Sequence, residues 1–240
     1  MFEQEYGADL TRLQRVVWVL ARALVVAITT LYFRAEVHGR ENLPTSGAFI
    51  LGPVHRSNLD TPLLPAIRKE PIRFMGKDSL WNVGRVAAWV LTTLGGFPVE
   101  RGSADRGALR AAEDVLERGE TLVMFPEGTR RSGPIVQEEN MFDGPSFLAG
   151  RQQVPIVPVG IGGSEAAMPI GRKVILPKKV VFVIGTPIPP PEPNANGRVP
   201  RRLVKEHTAI VMDRVQEVFD DAMELAGTPN PPRGELDSAE

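Results

Sequence analysis

A chain of 240 residues fits one ordinary domain with a small appendage, and 42% hydrophobic residues are enough to build a substantial core. Without cysteine, disulfides, thiolate metal sites and a cysteine nucleophile are excluded, and three scattered histidines (His38, His55, His207) fit no metal-binding spacing. A net charge of -1 gives no electrostatic footprint for nucleic acid.

The chain opens with an apolar segment, Leu10–Phe33. Leu13, Val16, Val17, Leu20, Leu24, Ala27, Ile28 and Leu31 recur there at helical spacing. Arg12, Arg15 and Arg22 interrupt it, leaving an uncharged run from Ala23 to Phe33, about half the roughly 20 residues a spanning helix needs. Trp18 and Tyr32 are residues that settle at a membrane interface. The segment is therefore expected to lie on or dip into a bilayer without crossing it. Glu3, Glu5 and Asp9 precede it and no short basic region opens it, unlike a secretory signal, so the expected location is the cytoplasmic face of the membrane.

From Ala35 onward, strand and helix patterns alternate. Ala48–Val54, Ile72–Met75, Phe97–Val99, Thr121–Phe125, Ile156–Gly160 and Val180–Ile184 are short apolar strand candidates. Between them, Val83–Leu94 and Ala104–Arg118 have helical periodicity, and a last helix covers Val199–Leu225. Apolar strands alternating with amphipathic helices predict an α/β fold: a mostly parallel mixed sheet with helices on both faces, plus the N-terminal membrane-associating helix. The expected division is 1–34 for that helix, 35–226 for the α/β domain and 227–240 for a disordered tail.

Two clusters directly follow strand candidates and could carry chemistry. The first is Val54-His55-Arg56-Ser57-Asn58-Leu59-Asp60. A histidine with a carboxylate partner is the simplest general base, because the carboxylate fixes the tautomer and stabilises the imidazolium. On a regular helix the two side chains would point about 140° apart. Thr61-Pro62 supplies a helix start, which leaves both residues in the preceding loop, where they can meet. Taken alone, such a string more often marks a loop histidine beside a capping aspartate. The second cluster is Phe125-Pro126-Glu127-Gly128-Thr129-Arg130: glycine lets backbone approach a ligand, and threonine and arginine can grip a phosphate. A plain turn with a local Glu127–Arg130 ion pair fits it equally well. A third run, Gly96-Phe97-Pro98-Val99-Glu100-Arg101, has the same form of short strand, then acid and base.

In this order and spacing the clusters resemble the glycerolipid acyltransferase family, which includes the lysophosphatidic acid acyltransferases. Its Asn-His-x-x-x-x-Asp motif is matched by His55 and Asp60 with Ser57 between them, and its acid-Arg motif by Glu100-Arg101. Phe125 to Arg130 match Phe-Pro-Glu-Gly-Thr-Arg, Val154 to Val159 match the Val-Pro-x-x-Pro-Val strand, and Gly76-Lys77-Asp78-Ser79-Leu80 resembles an Ala-Lys-x-x-Leu element. The likeness runs from about Glu36 to Thr186. Departures are Val54 in place of the asparagine, Arg131 before Ser132, and Phe142-Asp143-Gly144 where the family has Phe-Lys-x-Gly. They bear on acceptor and chain preference.

The resemblance implies an O-acyltransferase of phospholipid biosynthesis that moves a fatty acyl group from acyl-CoA or acyl carrier protein to glycerol 3-phosphate or 1-acylglycerol 3-phosphate. His55 would act as general base and Asp60 would orient it, with no acyl-enzyme. Lys77, Arg101 and Arg130 would hold the acceptor phosphate beside Glu127, Gly128 and Thr129. No metal or cofactor is expected beyond the thioester co-substrate, and the expected partners are the acyl donor, the acceptor and the membrane surface. Other expectations are a different lysolipid acceptor, a non-catalytic lipid-binding protein of the same fold, and a serine hydrolase. The hydrolase rests on Gly162-Gly163-Ser164-Glu165-Ala166, which lacks the second glycine of a nucleophile elbow and has no Asp-then-His order after it.

Overall fold

The computed structural model describes residues 11–99, 106–137, 141–172 and 174–232. Helix α1, Arg12–Leu31, starts at a capping box in which the Thr11 hydroxyl accepts from the Gln14 N–H and the Gln14 side chain accepts from the Thr11 N–H. The strands are β1 Glu36–His38, β2 Phe49–Pro53, β3 Ile72–Lys77, β4 Gly96–Val99, β5 Thr121–Val123, β6 Ile156–Gly162 and β7 Val181–Ile184. The remaining helices are α2 Asp60–Leu63, α3 Arg85–Thr93, α4 Arg106–Glu117, α5 Gly144–Gln152, α6 Ser164–Ala167 and α7 Arg201–Leu225.

The strands form one sheet in the order β1-β7-β6-β2-β5-β3-β4, parallel except where β6 meets β7. β2 at its centre is fully buried, as expected of a parallel strand covered on both faces. Alternation along the strands sorts the two faces. Gly160 and Gly162 of β6 face α7, and a β-carbon there would meet the Val218 and Ala222 carbonyls, so the absence of side chains lets that helix lie against the sheet. Helix α5 packs beside α7 and α4 beside α5, which completes that layer. Ile50 of β2 is in register with Ile156 and shares the α7 face, so its neighbour Phe49 points the other way. The Arg68 guanidinium lies over the Phe49 ring, and α1 reaches this second layer through Arg22, whose Nε donates to the Arg68 carbonyl.

Three elements depart from expectation for identifiable reasons. The edge strand β1 has three residues with no continuous apolar run, so it leaves no strand pattern in the sequence. Helix α5 is buried over most of its surface and begins with Gly-Pro, so it shows no amphipathic stripe. The helix after His55 begins at Asp60 itself, with Leu59 at the N-cap, two residues earlier than a Thr61 cap would have it. Beyond α7, Asn230 donates to the Asp220 carboxylate and the Pro134 carbonyl, while residues 233–240 of the expected tail lie outside the described residues.

Candidate active site

Strands β4, β3, β5, β2 and β6 run parallel, so the segments that follow them emerge on one edge of the sheet, where open α/β folds place their sites. β2 leads into the His55 loop and β5 into the Phe125 turn, and the two are direct neighbours. Lys77 is the last residue of β3, next along. Glu100 and Arg101 follow β4 but lie outside the described residues.

His55 and Asp60 meet. His55 Nδ1 stands 3.0 Å from Asp60 Oδ2, and the same oxygen accepts the backbone N–H groups of Arg56 and Ser57, both at 2.7 Å. An oxygen that receives two fixed donors acts towards the ring as a third acceptor, which places the proton of neutral imidazole on Nδ1. Nε2 keeps its lone pair, with no hydrogen bond among the described residues. The ring stacks on Phe125, with centroids 3.9 Å apart and planes 21° from parallel. The His55 side chain is 15% accessible and that of Asp60 is fully buried. Asp60 Oδ1 is buried without a partner.

The turn after β5 is tight. Gly128 N–H donates to the Phe125 carbonyl and Thr129 N–H to that of Glu127, and Gly128 sits at φ 65°, in the left-handed region that favours glycine. Glu127 pairs with Arg56, not with Arg130. Its two oxygens take the Arg56 guanidinium at 2.7 and 2.6 Å, and Oε1 also accepts the His55 backbone N–H at 3.1 Å. Both side chains of this ion pair are almost fully buried. The remaining Arg56 donors reach the Gly133 and Ile135 carbonyls, and the guanidinium lies against Phe219 of α7. The Arg131 N–H closes the junction on the His55 carbonyl. The histidine loop and the glycine turn are therefore clamped together at the backbone of His55 itself.

Sequence reasoning missed Arg56 and Phe125 as the residues that set the histidine. Both flank the motif residues, and the available signal was a charged pair in two otherwise apolar strand-end segments. By contrast, the side chains of Lys77 and the half-buried Arg130 make no hydrogen bond or ion pair among the described residues. Gly128 and Thr129 are exposed in the turn beside them. The arrangement can remove a proton at Nε2 and offers partnerless cations from neighbouring strand ends to an anion. Ser164 opens the short helix α6 with its hydroxyl buried and unpaired, in contact with no histidine, so the hydrolase arrangement does not assemble.

The family model described as Acyltransferase matches residues 34–162, which include the His55, Asp60, Arg56, Glu127, Lys77 and Arg130 groups but neither Ser164 nor the α7 contact. The chain is 28% identical over 160 residues to the chloroplastic 1-acyl-sn-glycerol-3-phosphate acyltransferase BAT2 of Brassica napus, covering 64% of this chain and 44% of that one. It is 35% identical over 131 residues to the lyso-ornithine lipid O-acyltransferase of Pseudomonas aeruginosa, covering 53% of this chain and 46% of that one. It thus spans less than half the length of either relative. The crystal structure of the 1-acyl-sn-glycerophosphate (LPA) acyltransferase PlsC from Thermotoga maritima superposes with a TM-score of 0.69 at 28% identity, covering 88% of this chain and 83% of that one.

Proposed function

The chain belongs to the acyltransferase family, and from that premise we propose that it transfers a fatty acyl group from a thioester, acyl-CoA or acyl carrier protein, to the free hydroxyl of 1-acylglycerol 3-phosphate at a membrane surface. The observation that carries this reading is the His55–Asp60 pair at 3.0 Å on a sheet edge where, among the described residues, Nε2 and the Lys77 and Arg130 side chains have no partner.

In the proposed step His55 Nε2 takes the acceptor hydroxyl proton as its oxygen bonds to the thioester carbonyl carbon. Collapse of the tetrahedral intermediate breaks the C–S bond, and the imidazolium returns the proton to the leaving thiolate. General-base assistance of this kind contributes roughly 10²–10⁴ in rate. Asp60 holds Nδ1–H and stabilises the imidazolium. Since the acceptor oxygen attacks directly, no acyl-enzyme is needed. Arg130, as a planar fork, and Lys77, as a point charge, would hold the phosphate, with Arg101 as a further candidate. Glu127, with both oxygens occupied by Arg56 and the His55 N–H, is proposed to position the base while Gly128 and Thr129 face the substrate.

The membrane part of the reading is supported by α1. The helix has 20 residues and is long and apolar enough to cross a membrane by length and composition. Leu13, Val16, Leu20, Leu24 and Leu31 are exposed, while Arg22 ties the opposite side to the domain. A helix fastened along its length to the protein is suited to lie in the interface.

A second reading, an acceptor such as lyso-ornithine lipid, is favoured by the higher identity to the Pseudomonas enzyme. A mass-spectrometric product screen separates the two. The purified chain is given acyl-CoA or acyl carrier protein donors with 1-acylglycerol 3-phosphate, glycerol 3-phosphate or lyso-ornithine lipid. Phosphatidate as the main product is expected, with Arg130→Ala and Lys77→Ala raising KM for phosphorylated acceptors while slow thioester hydrolysis survives. Product from lyso-ornithine lipid alone would replace the first reading by the second.

A further inference from the structure

Between α6 and β7 the chain follows an irregular path that exposes Ile170, Val174, Ile175 and Leu176, by 39–65% each. Irregular surface segments are ordinarily polar, and four large apolar side chains in seven positions are out of place on one. The same stretch is basic in sequence: Arg172, Lys173, Lys178 and Lys179 fall within it and no acidic residue occurs between Glu165 and Glu192, although Lys179 is taken up by an ion pair with Glu36 at 2.8 Å. Three of the chain's six lysines (Lys69, Lys77, Lys173, Lys178, Lys179 and Lys205) lie between 173 and 179, so a general preference for arginine does not account for them. The exposed Arg172 and Lys178 side chains have no hydrogen bond or ion pair among the described residues.

The segment is fixed at two places that matter. The Tyr32 hydroxyl donates to the Ile175 carbonyl at 2.9 Å and an Arg34 guanidinium nitrogen to that of Pro177 at 2.9 Å, which joins it to the end of α1. At its other end the Ser57 hydroxyl, from the loop between His55 and Asp60, donates to the Met168 carbonyl at 2.8 Å. It therefore bridges the catalytic loop and the apolar helix, and its exposed apolar side chains belong to a segment hydrogen-bonded to Tyr32, where α1 ends beside the exposed Leu31.

We infer that residues 170–178 form a second membrane contact, in which Ile170, Val174, Ile175 and Leu176 enter the acyl boundary of an anionic bilayer while Arg172 and Lys178 meet its headgroups. Apolar tips flanked by Arg172 and Lys178, which are unpaired among the described residues, match an anionic lipid surface better than an uncharged one. Held between α1 and the Ser57 loop, this contact sets how far the catalytic edge stands from the lipid. The inference rests on the membrane reading of α1 and is separable from it.

The chain contains no cysteine, so single-cysteine variants of the full chain can each carry one nitrobenzoxadiazole label. Labels are placed at Val174→Cys, at Leu20→Cys on the exposed side of α1, and at Lys205→Cys on exposed α7. Vesicles of phosphatidylethanolamine and phosphatidylglycerol are expected to shift the emission of the first two to the blue and leave the third unchanged. Neutralising Arg172 or Lys178 with glutamine should weaken vesicle binding about fivefold each, and only when phosphatidylglycerol is present. If the Leu20 label shifts and the Val174 label does not, the second contact is wrong while the membrane reading of α1 stands. If neither shifts, both fail. A Val174 shift on raising protein concentration without vesicles would assign the face to a second copy of the chain and overturn the inference.

Discussion

His55 and His207 are both enclosed imidazoles, and the protein holds them in opposite ways. His207, on α7, spends both nitrogens on neutral partners: Nδ1 on the Ser146 hydroxyl and Nε2 on the Pro189 carbonyl, each at 3.0 Å. Burial lowers its pKa below the ordinary 6.5, against a weaker upward pull from the Pro189 carbonyl. His55 gives one nitrogen to a carboxylate, rests its face on Phe125 and leaves Nε2 without a hydrogen bond among the described residues, on a side chain that is 15% accessible. Enclosure alone therefore does not mark a working histidine. The marks are an anionic partner on one nitrogen and an unused lone pair on the other.

The comparison is sharpened most by removing the anion. Asp60→Asn removes the charge that stabilises the imidazolium: one amide orientation keeps its oxygen on Nδ1 and on the Arg56 and Ser57 N–H groups together, and the other turns NH2 on all three and favours the tautomer with the proton on Nε2. Turnover is expected to fall by about 10⁴ with the fold retained, by analogy with hydrolase triads. Steady-state kinetics beside circular dichroism would read this, and a loss under tenfold would put His55 on the same footing as His207.

The clamp behind His55 comes next. Arg56→Met strands a buried carboxylate and should cost about 3–5 kcal/mol in urea unfolding. The paired change Arg56→Met with Glu127→Leu removes both charges and should recover most of that stability. Its kcat should stay 10–100-fold low, with KM little changed, because the His55 N–H loses its acceptor and the base drifts. Recovery of both stability and kcat would make the ion pair a staple only.

For His207 the expectation reverses. His207→Ala leaves a cavity and an unmatched hydroxyl, costing about 2–4 kcal/mol of stability with kcat unchanged once folded. The smallest effect is its pH dependence. A histidine with a lowered folded pKa binds its proton more readily when unfolded, so its contribution to stability is complete above about 6.5 and declines as pH falls through that value. The melting temperature of the wild type should thus fall more between pH 7.5 and 5.5 than that of His207→Gln. Equal slopes would show that His207 is not desolvated as described.

How much of this was legible in the sequence follows from where each signal is local. The central strands Phe49–Pro53 and Ile156–Gly162 are buried apolar runs and were readable as such. The spacing of His55 and Asp60 was also visible, because their partnership is made within one loop. The Arg56–Glu127 pair is separated by 71 residues and becomes a pair only when β2 and β5 lie side by side. Glu127 therefore suggested the nearby Arg130, three residues along the chain, when the register of the sheet offered it a better-buried partner. The apolar loop after α6 was invisible for the same reason. An apolar run of this kind does not say in sequence whether it will be covered, and the fold leaves it outside.

The central claim is that His55 Nε2 is the base for acyl transfer onto a lysophospholipid hydroxyl. It is tested most directly by giving isotope-labelled acyl thioester and 1-acylglycerol 3-phosphate to the wild-type chain and to folded His55→Ala, and counting labelled phosphatidate by mass spectrometry. The account predicts sustained product from the wild type and none above the uncatalysed background from the variant. Product from His55→Ala at a rate near that of the wild type would contradict it.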